Sequence, residues 1–335
     1  MDSNHPQINF GKTGVLLINL GTPDSTGWWD IRKYLKEFLS DRRVIEVNPF
    51  LWKVILNLFI LTFRPSKTAK AYKEIWMKEE NISPLRFYTI KQAEKVKSKI
   101  SNENLIVDYA MRYGNPSIKS KMLDLQESGC ENIIVLPLYP QYAAATTATV
   151  CDEVYRTLMK MRWQPSLQII PHYESEPLYI QAIVNSINQK LSSINWKPDL
   201  ILASYHGIPK KYFDKGDPYH CYCHKTSRLI KEKFNKDIPI LTTFQSRFGP
   251  QEWLQPYTDK TIESLAKNGT DHIHVISPAF SSDCLETIEE LNEENREIFM
   301  ENGGKNFGYI PCLNDREDHI LLLTSLLENE LHGWV

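Results

Sequence analysis

Leu16-Leu-Ile-Asn-Leu-Gly-Thr-Pro23 is echoed later in the chain by Leu200-Ile-Leu-Ala-Ser-Tyr-His-Gly-Ile-Pro209. Each is an apolar run that stops at Gly-x-Pro, where glycine permits a sharp turn and proline ends the strand. Six further runs have the same character: Leu105–Ala110, Ile133–Tyr139, Leu167–Pro171, Ile238–Phe244, His272–Ser277 and Phe307–Pro311. They are rich in Ile, Leu and Val and lack strict alternation, the pattern of strands covered on both faces and hence of parallel sheets. Helical patterns fall between them, at Trp29–Leu39, Thr89–Ile100, Pro116–Ser128, Glu176–Leu191 and Tyr257–Asn268. Strand and helix alternate throughout, so the fold class is α/β. The echo predicts two Rossmann-like, doubly wound halves with parallel sheets and a cleft between them. The first half is placed at 1–165 and the second at 166–315, with a terminal helix at 316–335 packing back on the first. Ligands of open parallel sheets sit beyond the carboxyl ends of the strands, so both Gly-x-Pro turns should border the site.

Composition narrows the function. The chain has 335 residues, 42% of them hydrophobic, with 39 Lys+Arg against 41 Asp+Glu and a net charge of −2. No global basic footprint for nucleic acid exists. Neither G-x-x-x-x-G-K-[ST] nor G-x-G-x-x-G occurs, which argues against a P-loop ATPase and a dinucleotide dehydrogenase. No G-x-S-x-G elbow is present either. Met1–Gly11 is polar and lacks an apolar export core, so a cytoplasmic location with reduced thiols is expected for the six cysteines.

The densest chemistry lies in two segments. In the first, His206 sits where a strand gives way to a turn, so its imidazole can face a cleft and accept a proton near neutral pH. In the second, Ser281 or Ser282 followed by Asp283 reads as a helix N-cap, with Glu286 in the first turn. Glu286, Glu290 and Glu294 follow at intervals of four, a carboxylate row on one helical face. The row is either a solvated acidic surface or a path for metal and protons. Cys221-Tyr-Cys-His224 looks metal-binding, but its spacing cannot close a tetrahedron without distant partners.

Pro49-Phe-Leu-Trp-Lys-Val-Ile-Leu-Asn-Leu-Phe-Ile-Leu-Thr-Phe63 is the longest apolar stretch. It is shorter than the ~18–20 residues a spanning helix needs. Two readings stay open: a buried core helix, or an exposed apolar lip against a bilayer or a lipophilic ligand.

The ordered set Leu17-Ile-Asn-Leu-Gly-Thr-Pro23, Tyr34–Ile45, Tyr139-Pro-Gln-Tyr142, Ser204–Pro209, Gly216-Asp-Pro218, Phe244-Gln-Ser-Arg-Phe-Gly249, Trp253-Leu and Ser281–Thr287 resembles the ferrochelatases, of the Gram-negative bacterial type. The resemblance implies a chelatase-like fold of two Rossmann-like halves and insertion of Fe²⁺ into protoporphyrin IX without ATP, the terminal step of haem biosynthesis. It implies that His206 and Glu286 are catalytic and meet the Fe²⁺ substrate, with Glu290 and Glu294 as a relay. It places Leu20, Arg112, Tyr113 and Tyr142 at the macrocycle and Arg64 and Lys67 at its propionates. No resident cofactor is expected. Nothing after Cys312 is a cysteine, so a C-terminal [2Fe–2S] cluster is expected to be absent. The segment 49–63 falls at the family's cleft lip, which implies peripheral contact with the inner membrane. The alternatives are a chelatase for coproporphyrin III or sirohydrochlorin, or a haem or metal carrier without turnover.

Overall fold

The computed structural model describes residues 10–100 and 102–334. Met1–Asn9, most of the segment read for an export signal, lie outside them, as do Ser101 and Val335.

All eight expected strands form, and they assemble into two four-stranded parallel sheets. In the first half, β1 (Lys12–Thr22) leads to α1 (Trp28–Ser40). A helical run follows: α2 (Pro49–Ile55), a π-helical turn (Leu56–Ile60) and α3 (Leu61–Ile75). Then come α4 (Pro84–Lys99), β2 (Leu105–Gly114), α5 (Ile118–Glu127), β3 (Cys130–Pro137), α6 (Thr147–Leu158) and β4 (Ser166–Ile169). The second half holds α7 (Pro177–Ser192), β5 (Leu200–His206), α8 (Lys210–Asp214), α9 (Tyr219–Phe234), β6 (Ile240–Gln245), α10 (Thr258–Lys267) and β7 (His272–Ile276). A second π-helical segment (Glu286–Glu294), α11 (Asn295–Glu301), β8 (Asn306–Tyr309) and α12 (Glu317–Leu331) complete the chain.

The strand orders are β2-β1-β3-β4 and β6-β5-β7-β8, so the two echoed strands occupy equivalent second places. In each sheet the winding reverses between the first strand in sequence and the third, β1 and β3 in one and β5 and β7 in the other. Crevices open at the carboxyl ends of such pairs. The largest core cluster joins the halves: Val15 and Leu17 of β1, Val96 of α4, Ile183 of α7, Ile201 of β5 and Leu323 of α12 all belong to it. α12 thus packs against α4 and α7 together. At the same seam buried Gln92 of α4 places its amide nitrogen 3.2 Å from the Ser281 carbonyl, 3.0 Å from the Ser282 hydroxyl and 2.9 Å from the Asn314 carbonyl.

Several helix boundaries differ from the sequence reading. α4 starts at Pro84 rather than Thr89, because the Ser83 hydroxyl accepts from the Arg86 N–H and Pro84 fits the first turn. Asp283 does not cap a helix. Its carboxylate accepts from Tyr309 Oη (2.5 Å), Asn314 Nδ2 (2.6 Å), Thr287 Oγ1 (3.1 Å) and the Cys312 N–H (3.2 Å), which ties the start of the second π segment to the end of β8.

The segment 49–63 is helical, and the buried-core reading fails for one face of it. Leu56 and Leu61 are buried, while Phe50, Phe59 and Phe63 are 83%, 58% and 72% exposed. Leu51, Val54 and Leu58 join them on the surface. No helix of the described residues is long and apolar enough to cross a membrane.

Candidate active site

A cleft, partly open to solvent, lies between the carboxyl ends of the two sheets. Leu20 of β1 and Leu138 and Tyr139 after β3 form one wall, and His206 of β5, Ile208 and Phe280 form the other. Of the two Gly-x-Pro turns, Gly207-Ile-Pro209 lines it, whereas Gly21 and Thr22 line a neighbouring pocket and the first strand reaches the cleft through Asn19 and Leu20. Gly21 has φ +112°, and a Cβ there would lie 1.8 Å from the Tyr113 carbonyl oxygen. Gly207 is needed for closeness instead, since a Cβ would come within 2.9 Å of the Gln245 carbonyl oxygen.

His206 ends β5 in register with Gln245 of β6. Its Nδ1 lies 2.6 Å from the Gly207 carbonyl oxygen, an atom that only accepts, so Nδ1 carries the proton. In the neutral ring Nε2 is then the free proton acceptor. The rings of Trp253 and Phe280 flank the imidazole, with centroids 6.5 and 6.4 Å away. Three buried polar atoms of the cleft walls, Tyr139 Oη, Gln141 Oε1 and Ser281 Oγ, have no partner among the described residues. Such atoms in an apolar wall are points where a ligand's polar groups can be met.

Glu286 opens into a second pocket with room for about one water molecule, lined also by Thr22, Tyr34 and Tyr72. The two pockets share Leu20, Leu85 and Cys284. Glu290 links them. Burial pushes its pKa up, hydrogen bonds from Ser246 and the charge of nearby His206 pull it down, and Glu286 adds repulsion. Glu289, which the sequence reading passed over, is pushed up to about 7 by burial and by the charges of Glu294 and Glu290, against the pull of Lys67. Glu294 itself is exposed. Among the described residues no three His, Cys, Asp or Glu side chains converge on a metal position. Of the expected set, Glu286, Glu290 and Glu294 are therefore strung along the π segment with His206 on the end of β5, rather than gathered into a cage.

Five other expected contacts lie outside the cleft lining. Arg112 is buried beneath the sheet, its guanidinium paired with Asp41 and donating to the Thr149 carbonyl at 2.7 Å. Tyr113 is fully buried and donates to Asp41 at 3.1 Å. Neither lines the cleft, because Arg112 needs that carboxylate and Tyr113 completes the core under α1. Tyr142 is not on the cleft wall either, although its neighbours Gln141 and Ala143 are. Arg64 and Lys67 face the acidic π segment. Arg64 feels the charge of Glu286 and stacks 4.8 Å over Phe248, and Lys67 acts on Glu289. Leu20 alone of the expected macrocycle contacts lines the cleft.

The Cys221–His224 motif is dispersed by helix geometry. Residues two apart on α9 point ~200° from each other, and Cys223 is buried while Cys221 is exposed.

A family model described as Ferrochelatase matches residues 12–331. A protein named ferrochelatase from Allorhizobium ampelinum is 56% identical over 337 residues, covering 100% of this chain and 98% of its own. One of the same name from Rhizobium meliloti is 53% identical over 339 residues, covering 100% of both. Among solved structures, "SirB from Bacillus subtilis with Fe3+" superposes with a TM-score of 0.56 at 11% identity, over 96% of this chain and 98% of that one. A sirohydrochlorin chelatase SirB from Bacillus subtilis subspecies spizizenii, in complex with cobalt, gives 0.53 at 10% identity over 96% and 95%. At such identities the likeness is one of fold.

Proposed function

The chain belongs to the ferrochelatase family, whose members insert Fe²⁺ into protoporphyrin IX to give protohaem, and we propose that His206 takes the pyrrole protons during insertion in the cleft between the two sheets. The observation that carries this reading is the tautomer of His206. With Nδ1–H committed to the Gly207 carbonyl, the neutral ring presents Nε2 as an acceptor on the wall of an apolar cleft.

The reaction exchanges two N–H protons for Fe²⁺ and changes no oxidation state. A flat macrocycle keeps its nitrogen lone pairs in the ring plane, where the metal cannot reach them from a face, so a bent substrate reacts more readily. The close walls at Leu20, Phe280 and Trp253 suit that role. A proton taken by His206 can pass toward Glu290, whose carboxylate lies within electrostatic reach of the imidazole, and on toward Glu286. Fe²⁺ is a substrate, which fits donors spaced for transfer rather than a closed cage.

The exposed apolar face of α2, the π-helical turn and α3, carrying Phe50, Phe59 and Phe63 respectively, is read as a lipid-docking lip for delivery of a lipophilic substrate. This would place the protein at the cytoplasmic face of the inner membrane.

Anaerobic steady-state insertion of Fe²⁺ tests the substrate assignment. Protoporphyrin IX should give a higher kcat/KM than coproporphyrin III or sirohydrochlorin. Preference for either competitor, or porphyrin binding without turnover, overturns it.

A further inference from the structure

His220 and His224 lie outside the chemistry described above. They are four residues apart on one face of α9, and their ring centroids are 4.4 Å apart. His172, His206, His272 and His319 each have a ring-nitrogen partner at 2.6–2.9 Å. The rings of His220 and His224 have none among the described residues. His220 is held in place by aromatic neighbours: it lies 18° from parallel to Phe244 at 5.8 Å, with Phe213 at 5.0 Å. Phe244 is buried near the end of β6, so the wall behind the pair is fixed.

Histidines at i and i+4 on a helix are a two-point metal chelate. Imidazole nitrogens bind at ~2.0–2.1 Å, which puts two rings in adjacent coordination positions with centroids roughly 4.5–5 Å apart. The observed 4.4 Å is already close to that arrangement. At the start of the helix Asp217 accepts from the Tyr219 N–H at 3.0 Å, and its carboxylate offsets the positive helix end.

We propose that His220 and His224 form a two-histidine site for a borderline divalent cation of the Zn²⁺, Co²⁺ or Ni²⁺ class, separate from the cleft in which Fe²⁺ reacts. Imidazole suits these ions. Cys221 is an exposed thiol next to His220, but on a helix it projects ~100° away and does not complete the set. With no third protein ligand among the described residues, water fills the other positions and the ion exchanges readily.

Ni²⁺ is the probe. Porphyrin-free protein is titrated calorimetrically beside His220→Ala, His224→Ala and Cys221→Ser, with circular dichroism confirming each fold. Wild type and Cys221→Ser should bind one more equivalent than either histidine variant, or bind it at least ~10-fold more tightly, since losing a ligand costs no less than losing a supporting contact. Exposed His224→Gln serves as a second variant should an alanine change disturb the helix. In nuclear magnetic resonance, substoichiometric Ni²⁺ should broaden the Hε1 signals of both rings together. Unchanged binding in a folded histidine variant, loss in Cys221→Ser, or broadening of one ring alone overturns the site.

Discussion

Both carboxylate oxygens of Glu290 are held by Ser246: the backbone N–H donates to Oε1 at 2.7 Å and the hydroxyl to Oε2 at 2.5 Å. Ser246 has φ +63°, in the left-handed region that residues with a side chain seldom occupy. Such conformations persist where surrounding contacts fix them, often at functional sites. Here the contact is the carboxylate itself, which joins the end of β6 to the π segment and sets Glu290 beside His206.

Removing the hydroxyl tests this arrangement. Burial already raises the pKa of Glu290, so Ser246→Ala should raise it further and move the acid limb of the kcat–pH profile upward by about one pH unit. Ser246→Gly should shift the limb equally while easing the backbone, and so keep more stability. An unmoved acid limb in both variants would mean that Glu290 takes no part in turnover.

Glu289 gives a stability prediction with a definite sign. Its folded pKa of about 7 lies above its ordinary 4.5, so the folded protein holds the proton more firmly. The charged form therefore costs stability, fully above pH 7 and not at all below 4.5. Glu289→Gln should raise Tm at pH 8 and leave it unchanged at pH 4.5. Equal Tm shifts at both values would contradict the assignment.

His319 acts in the opposite direction. It is buried, with Nδ1 2.7 Å from the Asn314 carbonyl oxygen, and burial lowers its pKa from 6.5 to about 4. Its stabilisation is complete above pH 6.5 and is lost as the pH falls toward 4, by about 3 kcal/mol at most. His319→Gln should flatten the fall of the urea midpoint between pH 7 and pH 5. The same loop positions Asp283 through Asn314, so acid should also loosen the start of the π segment.

The apolar lip can be tested without touching the core. Phe50, Phe59 and Phe63 are all more than half exposed, so changing them together to Ser should leave the fold intact. Sedimentation with anionic lipid vesicles should show binding weakened at least ~10-fold, since a buried Phe contributes roughly 1.5–3 kcal/mol. Unchanged vesicle binding would remove the lip from membrane contact.

Much of this was legible in the sequence because strands buried on both faces leave continuous apolar runs. All eight were found, and the paired Gly-x-Pro endings at Pro23 and Pro209 foretold the repeated strand order. Helices were read less well where capping rather than periodicity decides them, as at Ser83-Pro84, or where His, Cys and Tyr crowd the start, as in α9. His206 lines the cleft from the strand end at which the sequence put it, and Leu20, to which only the family resemblance pointed, lines it as well. Arg112 and Tyr113, named by the same resemblance, both bond to Asp41 and do not line the cleft, a long-range pairing that no local pattern in β2 shows. The pairing of Ser246 with Glu290 rests on a positive φ that a serine does not advertise. Glu289 was hidden by the assumption of α-helical spacing in a segment that winds as a π-helix.

The central claim is that His206 accepts the pyrrole protons. Anaerobic stopped-flow insertion of Fe²⁺ into protoporphyrin IX, run beside porphyrin fluorescence quenching, tests it on wild type and His206→Ala. The account predicts that kcat falls by a factor of ~10²–10⁴, the usual worth of a positioned base, while porphyrin affinity changes little. Turnover by folded His206→Ala within a few-fold of wild type would contradict it.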